Sequence, residues 1–153
     1  MRVFLLSLTL AFLSSGCLGL DVLTEATLGD ARAQWNANAP GLYRVVVEMS
    51  GDRIETGIFE ALVRDGNVVS LKRNGQVILP ERGQDYSIEG LFRILDQELA
   101  LAQEPALLGA PAGYAAHLLA RFDSETGRLE RYRRTVTGID NNIEIEVLEY
   151  EPQ

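Results

Sequence analysis

Two dipeptides constrain this chain more than anything else in it. Asp65-Gly66 and Asn74-Gly75 each separate short runs of β-prone residues. Both central positions of a tight two-residue hairpin turn need φ > 0, which Asp, Asn and Gly tolerate and β-branched residues do not. Two such turns in close succession make each strand double back on its neighbour. Residues 42–49, 54–64, 68–73 and 77–79 therefore read as an antiparallel meander, with Ser50, Gly51 and Asp52 in its first turn.

Helices flank that meander. The spacing of Leu28, Ala31 and Trp35 predicts a helix over residues 26–37, capped by Thr24 or Thr27 and ended by Pro40 and Gly41. A second helix follows Ser87, its cap, with Ile88, Leu91, Phe92, Leu95, Leu99 and Ala102 recurring on one face until Pro105 stops it. Glu89 and Arg93 are expected to pair at i, i+4 on its wet side. After a Gly/Ala/Pro-rich connection, residues 114–122, 129–136 and 143–150 are strands. In the last of them Ile143, Ile145 and Val147 alternate with Glu144 and Glu146, and Arg131 and Arg133 should lie opposite those glutamates if the last two strands pair. No helix separates successive strands. The fold class is therefore α+β: an antiparallel sheet of about six to seven strands with two helices packed on it, in the order helix-strands-helix-strands.

The start of the chain reads as an address. Arg2 precedes an eleven-residue apolar run over 3–13, broken only by Ser7 and Thr9. As a helix that run spans about 16 Å, half of a hydrocarbon core of about 30 Å, so it suits a cleaved signal rather than a membrane span. Ser14, Ser15 and Gly16 then lead directly to Cys17, the single cysteine. Small residues before a cysteine at the end of such a run resemble the lipobox of bacterial lipoproteins. The resemblance implies cleavage after residue 16, lipidation of Cys17, and a membrane anchor there. It divides the chain into a signal peptide over 1–16, a short spacer over 17–23, and one α+β domain over 24–153. Leu18, following the cysteine, resembles cargo sorted to the outer membrane where a cell has two. The expected location is the periplasmic or extracytoplasmic face of the cell envelope.

Charge and residue types narrow the chemistry. The full chain carries a formal charge of -8, and losing Arg2 with the leader makes the body one unit more acidic. That sign argues against nucleic acid, whose affinity comes from cationic side chains on phosphates. It also repels the body from anionic head groups. A single cysteine excludes an internal disulfide, and one His with one Cys leaves no ligand set of the zinc type. His117 falls on a strand beside Arg121 and reads as a half-exposed sheet histidine, since no G-x-S-x-G elbow offers it a nucleophile. Glu55 with Glu60, and Glu144 with Glu146, read as solvated edges. The Asp140, Asn141, Asn142, Ile143, Glu144 loop lacks the glycine and acidic spacing of a calcium loop. Trp35, Tyr43, Tyr114 and Tyr132 read as core and sheet packing. No catalytic residue, metal or cofactor is expected.

The body has a family likeness of its own. The Trp35 helix, the Tyr43 strand, the "VRDGNVVS" hairpin over 63–70, the "YSIEGLFRIL" helix over 86–95 and the "FDSETGRLERY" turn over 122–132 resemble the domain of unknown function 6174 family. The resemblance covers roughly residues 31–150 and implies a small bacterial protein, secreted or lipid-anchored. Some relatives carry cysteines in the early hairpin, where residues 49–56 have none, so no disulfide is implied. The family carries no catalytic residue over to this chain. The expectation is a non-catalytic binding or structural module meeting another envelope component. The alternative is a small-ligand carrier or enzyme with a pocket between the sheet and the second helix.

Overall fold

A computed structural model describes residues 19–52, 55–79 and 85–153. The leader, Cys17, Leu18 and Ile54 lie outside these residues. The described chain forms β1 (Asp21–Val22), α1 (Glu25–Asn38), β2 (Leu42–Gly51), β3 (Gly57–Arg64), β4 (Asn67–Arg73), β5 (Gln76–Val77), α2 (Ile88–Gln103), a 3-10 turn (Pro105–Leu108), β6 (Ala116–Phe122), β7 (Leu129–Val136) and β8 (Ile143–Pro152).

The class is α+β and the sheet antiparallel, as the hairpin turns predict. Asp65 and Asn74 take φ 49°, with Gly66 at 73° and Gly75 at 79°, so both turns have positive φ at both central positions. Two details differ from expectation. Among the described residues the sheet has eight strands, ordered β1-β6-β7-β8-β2-β3-β4-β5. A strand also precedes the first helix: Asp21 and Val22 pair with Ala120 and Leu119. Two residues with a partner so distant carry no periodicity of their own. Strand bounds shift as well. β3 begins at Gly57, whose φ of 143° is open to glycine alone, so Glu55 and Thr56 cannot continue the ladder. β6 begins at Ala116, so Tyr114 and Ala115 precede it, although the Ala115 carbonyl still accepts from the Thr137 amide.

Each helix has the cap its sequence offers. Thr24 accepts from the Thr27 amide at 3.1 Å, and the Thr27 hydroxyl accepts from the Thr24 amide at 2.9 Å, a reciprocal box that uses both candidate threonines. Ser87 Oγ accepts from the Gly90 amide at 3.0 Å. Both helices feed one core. Leu28, Ala31 and Trp35 of α1 and Ile88, Leu91, Phe92 and Leu95 of α2 join Tyr43, Val45, Val47, Phe59, Ala61 and Ile145 of the sheet. Gly127 fixes how close α1 comes to the β6–β7 turn. Its φ is 75°, and a Cβ there would collide with the Ala31 carbonyl oxygen. The opposite face of the sheet carries ion pairs. Arg131 stands opposite Glu146 and Arg133 opposite Glu144, the register expected for β7 and β8, and Arg131 and Arg133 both pair with Glu144.

Candidate functional site

Helix α2 turns two of its carboxylates, Glu98 and Glu89, toward donors of the core. Glu98 lies three residues after Leu95, within the apolar stripe, and is buried. Arg134 lies on the inward face of β7 between Tyr132 and Val136, also buried. Arg134 Nη1 donates to both Glu98 oxygens, at 2.8 and 2.7 Å, and the Tyr132 hydroxyl donates to Oε2 at 2.8 Å. Arg134 Nη2 donates to Asn141 Oδ1 at 2.8 Å, and Asn141 Nδ2 passes the chain on to the Leu108 carbonyl at 2.7 Å. A charge inside a protein is tolerable only when paired and hydrogen-bonded, and here each ion has several partners. Burial first, and then the Glu98 charge, push the Tyr132 phenol well above its ordinary range. The readable signal for this cluster was one charge on each of two apolar faces.

Glu89 is the second carboxylate, and it overturns an expectation. It does not pair with Arg93 on the wet side of α2. Trp35 Nε1 donates to Oε1 at 3.0 Å and the Tyr43 hydroxyl donates to Oε2 at 2.5 Å, while Arg93 turns to Asp85 at 2.5 Å. The phenol oxygen of Tyr43 in turn accepts from the Ile88 amide at 3.1 Å. Burial and the neighbouring carboxylate raise the Tyr43 phenol far above its usual value. Trp35 meets Tyr43 and Tyr150 edge-on, with centroids 5.5 and 5.9 Å away. First-turn carboxylates suit a helix N-terminus. The two buried indole and phenol donors, which need an acceptor, account for why this one points inward.

The residues singled out from the sequence are scattered. His117 is exposed on β6 with Thr137 Oγ1 3.3 Å from its Nε2. Glu55 takes Arg73 at 2.6 Å and the Tyr86 hydroxyl at 3.0 Å, and Glu60 takes Lys72 at 2.9 Å. Asn141 of the 140–144 loop is buried in the Arg134 cluster, so its side chain is committed to the fold. Among the described residues no group of three His, Cys, Asp or Glu is placed to hold a metal. Trp35, Tyr43 and Tyr132 are buried as expected. Tyr114 is not: it is 46% exposed and lies ahead of β6, its amide donating to the Pro111 carbonyl.

The surface carboxylates give the fold an acid limit. The Lys72 ammonium, and then the Arg44 guanidinium, hold the Glu60 carboxyl below its ordinary value. Burial pushes the Glu144 carboxyl up, but Arg131 and Arg133 outweigh it and the net direction is down. A carboxyl depressed by folding stabilises above its unfolded value, near 4.5 for glutamate, and loses that contribution as pH falls through the folded value. Urea melts at descending pH should show a Glu60→Gln, Glu144→Gln double variant weaker than the wild type near neutrality by about 0.2 to 1 kcal/mol per pair. The two curves should converge in acid. A gap that stays constant would contradict this.

Concave space is modest and open. One cleft of about 290 Å³ lies between the helices, lined by Arg32, Asn36, Glu89, Phe92, Arg93 and Asp96. Its cations are engaged: Arg32 Nη2 reaches both Asp96 oxygens at 2.7 Å, and the Arg32 guanidinium lies 5.6 Å from the Phe92 ring centre. A second groove of about 290 Å³ runs between the end of α2 and the β1–β6 edge, lined largely by apolar side chains with His117 among them. No family model matches the chain and no curated protein matches it.

Proposed function

We propose that the chain is a lipid-anchored protein of the bacterial cell envelope, held at Cys17, whose α+β body is a binding or structural module for another envelope component. The observation that carries the anchor is the apolar run over 3–13, too short to span a bilayer, ending at the single cysteine. The geometry supports a module that works through its surface. Both carboxylates that α2 turns inward are committed to donors of the fold, Glu98 to Arg134 and Tyr132 and Glu89 to Trp35 and Tyr43. The alternative, a small-ligand carrier or enzyme with a pocket between the sheet and the second helix, rests on the groove between the end of α2 and the β1–β6 edge. Kinship with the domain of unknown function 6174 family is part of the same reading.

Metabolic labelling with a radioactive fatty acid tests the anchor. Label should travel with the wild-type chain into the membrane fraction and vanish in Cys17→Ser, because two or three acyl chains, at about 0.8 kcal/mol per buried methylene, are what would hold it there. Mass spectrometry finding the sulfur of Cys17 bare would end this reading.

A further inference from the structure

The anchor leaves open which side of the body meets the bilayer, and three independent features single out one flank. The first is reach. Cys17 is four residues from Asp21, so a fully extended connection spans at most about 14 Å, and Asp21 lies in β1, at one end of the strand order. The second is charge. Residues 105–120 contain no Asp, Glu, Lys or Arg, the longest such stretch after Cys17 in a chain that is 24% charged. Much of that stretch lies on the same flank. It starts in the 3-10 turn after α2 and runs through β6 to Ala120, the partner of Asp21. The third is exposed apolar surface. Val22 is 67% exposed and Leu107 62%, with Tyr114 between the 3-10 turn and β6. Val22, Leu23, Leu99, Ala102, Leu118 and Leu119, with Gln103 and His117, line the groove between the end of α2 and the β1–β6 edge.

Resting on the lipid-anchor reading, we propose that this flank, formed by β1, β6, the end of α2 and the turn that follows, lies against the lipid interface. An acidic body is repelled by anionic head groups on most sides. The flank, with its uncharged stretch over 105–120, meets less of that repulsion, and it is where a tether this short must hold the body. Tyrosine beside leucine is the pairing that suits the boundary between head groups and acyl chains. β6 spans about 20 Å, so the flank is long enough for the edge to lie along the surface instead of touching it at a point. Its acidic groups are Asp21 in β1, Glu104 at the cap of α2 and Glu25 beside Gln103, and Arg121 ends the uncharged run in β6. The β4–β5 edge, at the other end of the strand order, then faces away from the bilayer.

Hydrogen–deuterium exchange on the full mature chain tests this without labels. The lipidated chain is reconstituted into phosphatidylcholine vesicles and compared with soluble Cys17→Ser. Amides of residues 105–120 and 21–23 should exchange several-fold more slowly on vesicles, and those of 67–71 should be unchanged. Identical exchange in the two forms would overturn the docking and leave the anchor standing. So would protection confined to 67–71, or protection of 105–120 that appears without vesicles as protein concentration rises, which would make a second copy the occupant. If Cys17 proves bare in cells, the anchor itself has failed. Coupling that thiol to a maleimide phospholipid then reads the flank's own preference apart from the natural modification. Leu107→Glu with Tyr114→Glu should abolish the protection while leaving exchange in β2 and β8 as in the wild type.

Discussion

Glu98→Ala is expected to lower the free energy of unfolding by about 3–5 kcal/mol, because it strands the Arg134 guanidinium in the core without its counter-ion. Arg134 is 2% exposed, and its remaining acceptors belong to Asn141 alone. Arg134→Ala should cost a similar amount by leaving the carboxylate. Removing the charges together should behave differently. Glu98→Leu combined with Arg134→Met and Tyr132→Phe replaces the ions and the phenol that serves them by apolar groups of similar volume, and should recover most of the loss. Urea unfolding followed by Trp35 fluorescence reads all three variants. A single-site loss below about 1 kcal/mol would mean that water reaches the pair and that its burial is not what matters.

Trp35→Ala should be comparably severe, about 3–5 kcal/mol, since the indole is fully buried and its removal leaves a cavity that α1 alone cannot close. Its cost has a second part, which Trp35→Phe separates. Phenylalanine keeps much of the packing against Tyr43 and Tyr150 but leaves Glu89 Oε1 without its donor. It should fall between wild type and alanine, by about 1–3 kcal/mol, the range for losing a hydrogen bond to a charged group. Thermal unfolding by circular dichroism orders the series. Equal losses for Phe and Ala would place the whole effect in the hydrogen bond and none in the packing.

Much of this architecture was legible because local chemistry dictated it. Asp65-Gly66 and Asn74-Gly75 demanded positive φ and obtained it. Ser87 caps α2, and the stripe from Ile88 to Leu95 is buried. The Glu144 and Glu146 alternation met Arg133 and Arg131 in the expected register. What was not legible depends on partners far along the chain. β1 exists only because β6 accepts it, and two residues show no period of their own. Glu89 looked like half of an i, i+4 pair because local spacing says nothing of Trp35 and Tyr43, which reach it from α1 and β2. The Glu98 and Arg134 cluster lies between these cases. Each charge breaks an apolar pattern that was visible in the sequence, but the pairing of one with the other comes only from packing α2 across β7.

The strand order also sets a timetable. β2 is made early and β8 late, yet they are neighbours in the middle of the sheet, joined from Tyr43 opposite Pro152 to Gly51 opposite Ile143. While the ribosome is still producing α2, β6 and β7, one long rim of β2, with Val45, Val47 and Met49 on its inner side, has nothing to bind. Contacts so far apart in sequence close slowly, and an open apolar strand is an invitation to aggregation. The nascent polypeptide therefore stays unfinished until β8 emerges, a state a chaperone would recognise.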